Sequence, residues 1–341
     1  MKVKLDTIAK KLNISKSTVS RALRNHPAIS PDTRKMVAEE ARKIGYGPSY
    51  SRKGRKSEDG QRLNITALVA ADVDKVENAG AVTHRMLKGL ADGINAFGGQ
   101  LSINFIRSEE LEGFKKHGTS PESFSRIAEF SGAVLMQHFS EAFVSEISKI
   151  LPCVSLNYAY NIKSVDNVGP QDISAIPSLL GYLQKNGHSK IGYIDAERPH
   201  PRTDIRRMLF LMALGGGDNA LDLCIYDRDY SGHEAKFTRA LKMMKQKKIT
   251  AWICGTDGTA SCFIEFLNGK GIKVPDDVSV TGFGGVEQTD PPLCTYNIPF
   301  EEIGISAATH LAERIKLPGR PARQILVNCE FVEGKTVKKN K

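Results

Sequence analysis

From Leu63 onward, short apolar runs alternate with stretches of helical period, and that alternation leaves few architectures open to the chain. The runs are ITALVAA (65–71), LSINFI (101–106), GAVLM (132–136), CVSLN (153–157), KIGYI (190–194), DLCIY (222–226), TAWIC (250–254) and DVSVTGF (277–283). Helical periods occupy the intervals around 83–97, 172–186, 203–214, 233–246, 258–269 and 300–316. Strands apolar along their whole length are buried on both faces, so this pattern builds parallel sheets with helices on either side. Roughly 280 residues exceed what one such sheet usually organises, and two lobes are expected.

The N-terminal residues carry a different pattern. Leu5, Ile8, Ala9 and Leu12 fall at i, i+3, i+4 and i+7, one buried face of a short helix. Asn13 tolerates the left-handed turn that ends it, Ile14 plugs the core, and Ser15 is positioned to cap a second helix. On that helix Val19, Ala22 and Leu23 face inward. Lys16, Ser17, Thr18, Ser20, Arg21 and Arg24 offer donors and positive charge, with no carboxylate among them. Two short helices about a tight turn make a helix-turn-helix, and a second helix of this composition suits the DNA major groove. The alternative is an ordinary solvated amphipathic helix. Ser30-Pro31-Asp32-Thr33 opens a third helix, which runs through Val37, Ala41 and Ile44 and stops at Gly45.

Charge separates the two regions. Residues 1–62 hold 16 Lys and Arg against 6 Asp and Glu, which accounts for the whole formal net charge of +10. The rest is balanced at 32 of each sign. This is the footprint of a phosphate-binding head on a neutral body. Residues 49–62 (SYSRKGRKSEDGQR) read as a polar linker in which Arg52, Lys53, Arg55 and Lys56 grip phosphates as a basic arm.

The stretches LDTIAKKLNISKSTVSRAL, HPAISPDTR and KIGYGP resemble, in spacing and residue type, the N-terminal module of the LacI/GalR family of bacterial transcription regulators. GIKVPDDVSVTGF (271–283) resembles that family's G-x-x-V-P-x-D-x-S-V-x-G-F signature almost residue for residue. NGHSKIGYI resembles the strand opening its second lobe, and PPLCTYNIPFEEIGISAATHL its return to the first. The resemblance implies an all-α helix-turn-helix domain (1–48), a hinge (49–62) and a periplasmic-binding-protein-like type I α/β core (63–341). That core would hold two doubly wound parallel-sheet lobes, 63–162 with 292–322 and 163–291 with 323–341. It also implies a cytoplasmic, nucleoid-associated repressor that binds a palindromic double-stranded DNA operator as a homodimer. A small-molecule effector, a sugar or related metabolite, would tune its operator affinity. Lys16, Ser17 and Arg21 then read base edges, and Thr18, Ser20 and Asn25 position the backbone. His26, at the helix end, approaches a phosphate or is a plain surface residue.

In the resembled family an Arg at the Arg206 position and an Asp at the Asp257 position contact the effector. The alternatives are a surface helix charge beside Arg202 and Arg207, and a helix N-cap at Asp257. Other positions of the implied pocket depart from the family. Val82 and Thr83 stand where aromatics are usual, and Asp227 where an aromatic often follows the strand DLCIY. Phe283 is followed by Gly284 in place of an acid, and the pattern R-L-x-G-F reads Arg206-Arg207-Met208-Leu209-Phe210. Stacking of a sugar or purine on rings is thus poorly supported. The family's minor-groove leucine is also missing: no leucine lies between Pro48 and Leu63, and Tyr50 is the bulky apolar residue there. These departures keep open a constitutive, architectural DNA-binding protein whose core only dimerises.

No G-x-S-x-G elbow, Walker loop or H-E-x-x-H is present, so catalysis is not expected, and an α/β enzyme with an appended DNA domain ranks last. The six cysteines form no C-x-x-C pair and read as reduced core thiols, without metal or other cofactor. No apolar run approaches the ~20 residues of a membrane span, and no apolar signal region follows the charged start.

Overall fold

The structure, a computed structural model, describes residues 5–22, 29–43, 63–70, 79–106, 111, 127–196, 201–226, 232–287 and 289–340. The chain divides into two compact units, Met1–Lys56 and Ser57–Lys341.

The first unit holds α1 (Leu5–Lys11), α2 (Lys16–Ala22) and α3 (Pro31–Lys43). Asn13, at φ 52°, makes the left-handed turn between the first two. Ser15 caps α2, its Oγ accepting the Thr18 N–H at 3.0 Å. Ser30 caps α3 likewise through the Thr33 N–H at 3.2 Å, and Arg34 Nε donates to the Ile29 carbonyl at 2.9 Å. Ile8, Ala9, Val19, Ala22 and Val37 form the core, with Leu12, Ile14 and Ile29 packed against it.

The second unit runs β1 (Asn64–Ala70), α4 (Ala79–Ala96), β2 (Gln100–Ile106), β3 (Gly132–Met136), α5 (Glu141–Ile150), β4 (Cys153–Leu156), β5 (Val165–Gln171) and α6 (Ala175–Lys185). It continues through β6 (Ile191–Ile194), α7 (Pro201–Ala213), α8 (Asp218–Leu221), β7 (Cys224–Ile225), α9 (His233–Lys247), β8 (Ala251–Cys254), α10 (Asp257–Gly269) and β9 (Ser279–Thr281). It ends with β10 (Thr295–Asn297), α11 (Phe300–Lys316), β11 (Gln324–Asn328) and β12 (Glu330–Val332). Two parallel sheets result, ordered β11-β5-β4-β3-β1-β2 and β7-β6-β8-β9, with β10 and β12 paired antiparallel.

Alternating strand residues serve opposite layers, as the pleat requires. Ile65, Ala67 and Val69 of β1 pack with Met86 and Leu90 of α4 and Ile303 and Leu311 of α11. Leu68 of β1 and Leu135 of β3 pack on Phe143, Val144 and Ile147 of α5. In the second sheet Trp252, Cys254 and Val280 meet Phe237 and Phe263, so Trp252 is a core residue. Helices α4 and α11 cross at glycines: a Cβ on Gly304 would stand 2.2 Å from the Met86 carbonyl oxygen.

The lobe boundaries need correcting. Strand β5 and strand β11 pair with each other in the first sheet, Gln324 opposite Asn167 through Asn328 opposite Gln171. The first lobe therefore extends past 162 to Gln171 and past 322 to Asn328. The cause is the composition of β5, VDNVGPQ, whose buried polar residues hide its strand character: Asp166 is fully buried on arginines, and Asn167 Oδ1 accepts the Tyr160 N–H at 2.9 Å. The runs DLCIY and DVSVTGF shorten to β7 and β9, and α5 adds a helix that the apolar pattern passes over.

Candidate functional site

Helix α2 carries Lys16, Ser17, Thr18, Ser20 and Arg21 within its span. Lys16 is exposed and Thr18 half-buried, its Oγ1 2.8 Å from Ser15 Oγ. Val19 and Ala22 are buried, so the helix packs along one side. Asn25, His26, Arg52, Arg55 and Asp227 lie outside the described residues.

In the second unit, the carboxyl ends of the two sheets are bridged by α7. Arg202 and Arg206 stand one helical turn apart and share a face. Both are buried, 9% and 5% exposed, which excludes a surface charge at Arg206. Arg206 serves the second lobe: Nη1 donates to the Gly255 carbonyl, just past β8, at 2.8 Å. Its guanidinium carbon lies 3.9 Å from the ring centroid of Phe283, just past β9. Arg202 serves the first lobe: Nε donates to the Asn157 carbonyl past β4 at 3.1 Å, and Nη1 to the Pro170 carbonyl in β5 at 2.9 Å. Gly169 makes room for it, since a Cβ there would sit 1.8 Å from Arg202 Nη2.

The two guanidiniums meet at Asp172, the residue after β5. Arg202 Nη1 donates to Asp172 Oδ2 at 3.3 Å, and Arg206 Nε lies 3.9 Å from the same oxygen. Burial pulls the Arg202 pKa down, and Asp172 pushes against it. Asp172 Oδ1 and Arg206 Nε are buried and without a hydrogen-bond partner among the described residues. An acceptor and a donor left open in one buried place mark where a polar ligand group would be satisfied.

Asp257 is fully buried and is not a cap: Thr256 caps α10, accepting the Thr259 N–H at 3.2 Å. The Asp257 carboxylate accepts the Val286 N–H at 2.9 Å and the Thr295 hydroxyl at 2.6 Å, fastening the turn after β9 and strand β10 to α10. Gly284 in that turn has φ 139°, a conformation that suits glycine and not the expected acid. Thr83 is buried on the first lobe, its Oγ1 accepting from Gln137 Nε2 at 2.9 Å. The structure thus brings Arg206, Phe283 and Asp257 to one end of the second sheet, with Thr83 on the first lobe. The sequence reasoning missed Asp172, which has no local signature, and treated Arg202 as a surface neighbour. The i, i+4 spacing of the two arginines was the available signal.

No group of three or more His, Cys, Asp or Glu is placed to hold a metal among the described residues. No described helix is long and apolar enough to cross a membrane.

Residues 4–49 match the family described as bacterial regulatory proteins, lacI family. Residues 180–337 match the periplasmic binding protein-like domain. The probable HTH-type transcriptional repressor ExuR of Bacillus subtilis (strain 168) is 24% identical over 344 residues, covering 99% of this chain and 99% of its own. The HTH-type transcriptional repressor CytR of Escherichia coli (strain K12) is 24% identical over 341 residues, covering 95% and 93%. Among solved structures, the transcriptional regulator CelR in complex with cellobiose superposes at a TM-score of 0.65 and 19% identity, covering 98% of this chain and 100% of that one. The lac repressor dimer bound to operator and the anti-inducer ONPF gives 0.65 and 16%, covering 99% and 100%.

Proposed function

We propose that the chain is a LacI/GalR-type bacterial transcription regulator that represses transcription by binding a palindromic operator as a homodimer in the cytoplasm. The observation that carries this reading is the head itself, a capped second helix closed on one side by Val19 and Ala22 and rich in donors elsewhere. Lys16, Ser17 and Arg21 read base edges; Thr18, Ser20 and Asn25 position the backbone; His26, Arg52 and Arg55 add phosphate contacts. One head of residues 1–48 buries little surface on DNA, so pairing through the body is required for useful affinity. The protein acts by binding and not by catalysis.

The effector site is the cleft between the lobes, where Arg206, Asp257, Phe283, Thr83 and Asp227 are the assigned positions. The ligands named for the compared structures, cellobiose among them, support a small metabolite there. An effector that changes lobe closure would change the spacing of the paired heads and hence operator affinity. The engagement of Asp257 by Val286 and Thr295 favours one rival, a body that only dimerises. Selection from a random DNA library with the purified full chain tests the main reading: a palindrome should be enriched, and no enrichment at low salt would overturn it. Repeating the operator titration across a metabolite panel separates effector control from the rival.

A further inference from the structure

The edge of the first lobe carries a concave surface of its own, away from the cleft. It opens where β5 and β11 begin, between the segment 159–163 and the turn 319–324 that leads from α11 into β11. Asn167, opposite Gln324, lies on its wall. Asp172 stands at the other, cleft end of β5, roughly 15 Å away at the rise of a strand. The groove measures about 840 Å³, room for a small metabolite. Its lining includes three cations, Lys163, Arg320 and Arg323, and no Asp or Glu. The Arg320 side chain is 9% exposed and is engaged by Asp166 and the His310 carbonyl, so it contributes charge and no free donor. Arg323 is exposed, its Nη1 bound to Glu313 at 2.9 Å. Lys163 is exposed and makes no hydrogen bond or ion pair among the described residues.

The carboxylates behind the lining do not balance it. Asp166 is shared by Arg314 and Arg320, Glu313 holds Arg323, and Glu141 is close enough to act on the Tyr160 hydroxyl. With Lys163 counted, four cations stand against these three carboxylates. On α5, which Ser148 joins to Ser164, Glu146 and Lys149 pair and cancel. His310, beside Glu313, can only add to the excess. We propose that this groove is a ligand site that takes the phosphoryl group of a small phosphorylated metabolite. Lys163 and Arg323 hold its oxygens from the two sides, and Arg320 supplies charge from below. The site stands whether or not the cleft binds an effector.

The physical reason is the meeting of charge and shape. Protein walls focus the field of like charges gathered in a concavity, and an anion that enters relieves their repulsion. A phosphoryl group carries nearly two negative charges and three acceptor oxygens, enough to engage an ammonium and a guanidinium at once. The exposed amides of Asn161 and Gln324, which make no side-chain hydrogen bond among the described residues, can serve further oxygens. Tyr160, Ile162 and Pro321 give the same lining an apolar part, which suits a carbon skeleton better than free phosphate does.

Calorimetric titration of the full chain with glycerol 3-phosphate at fixed ionic strength tests this, with glycerol and acetate as controls. The basic head also attracts phosphate, so the readout is the difference between the wild type and groove variants, whose heads are identical. Lys163→Gln and Arg323→Gln should each weaken binding about tenfold. Both side chains are exposed, and it is the Arg323 backbone N–H, kept in the variant, that bonds Asp166. Glu313→Gln releases Arg323 from its ion pair and should tighten binding about two- to fivefold, a sign that a structural role would not give. The proposal is overturned if the groove variants titrate like the wild type, or if neither the wild type nor Glu313→Gln binds saturably. Glycerol or acetate binding as tightly as glycerol 3-phosphate would equally remove the phosphoryl assignment.

Discussion

Asp166 and Arg314 form a buried ion pair at 2.6 Å, neither side chain more than 2% exposed, that fastens strand β5 to helix α11. Arg320 closes on the other carboxylate oxygen, and the Arg323 N–H donates at 2.8 Å. Burial pushes the Asp166 carboxyl up, but the hydrogen bonds from Arg314, Arg320 and the Arg323 backbone outweigh it and hold the pKa below the usual range. Asp166→Asn leaves two buried guanidiniums uncompensated and should cost about 3–5 kcal/mol in urea unfolding. A folded-state pKa below the unfolded one means a contribution fully present above the unfolded value, about 3.9, and lost as pH falls through the folded value. Wild-type stability should therefore drop below about pH 4 more steeply than that of the variant.

The crossing of α4 over α11 predicts a second outcome. Gly89 and Gly304 let the two backbones touch, since a Cβ on Gly89 would lie 1.8 Å from the Glu301 carbonyl oxygen. Helical alanine is normally preferred to glycine, so Gly304→Ala tests packing against propensity. The packing term should win, with a loss of about 1–3 kcal/mol in chemical denaturation. Gly181, in helix α6 with open space at its Cβ position, supplies the control, and alanine there should stabilise by a few tenths to about 1 kcal/mol.

These two sites also show what the sequence could reveal. Strands β1, β3, β6 and β8 stand out because their buried positions are almost all apolar. Strand β5 does not, because its buried Asp166 and Asn167 depend on Arg314, Arg320 and Tyr160, which are distant or unreadable as partners. In the described part of the head the caps and the turn were legible, since they are local chemistry: Asn13, Ser15 and Ser30 each do what their position predicts. The cleft was legible only by position. Arg206, Phe283 and Asp257 could be placed at strand ends, but the commitment of Asp257 to Val286 and the meeting of Arg202 with Asp172 are long-range facts of folding.

His188 predicts a separate pH window. It is buried, with Nε2 2.9 Å from the Lys338 carbonyl and Nδ1 2.9 Å from the Thr250 hydroxyl, tying the chain's end to the second lobe. The carbonyl only accepts, so Nε2 carries the proton and Nδ1 accepts from Thr250. Burial lowers the pKa, and the bond to the Lys338 carbonyl offsets part of that. Stability from the neutral ring is fully present above the unfolded value, roughly 6.5, and declines as pH falls through the lower folded value. Unfolding free energies measured from pH 7.5 to 5 should slope downward for the wild type and flatten for His188→Gln. Equal slopes would remove His188 as the cause.

The last prediction separates specificity from affinity in the head. Arg21 lies within α2, and alanine is the best helix former, so Arg21→Ala should leave the helix intact. If Arg21 reads a base edge, the variant should lose about 1–3 kcal/mol of discrimination at one position of the selected operator and its symmetry mate. Ser15→Ala is the contrast, because it removes the cap that accepts the Thr18 N–H and should cost the helix about 0.5–2 kcal/mol. That loss weakens every sequence alike and leaves the ranking of operators unchanged. Binding measured against a set of single-base operator variants distinguishes the two patterns, and an Arg21→Ala profile parallel to the wild type would take Arg21 out of base readout.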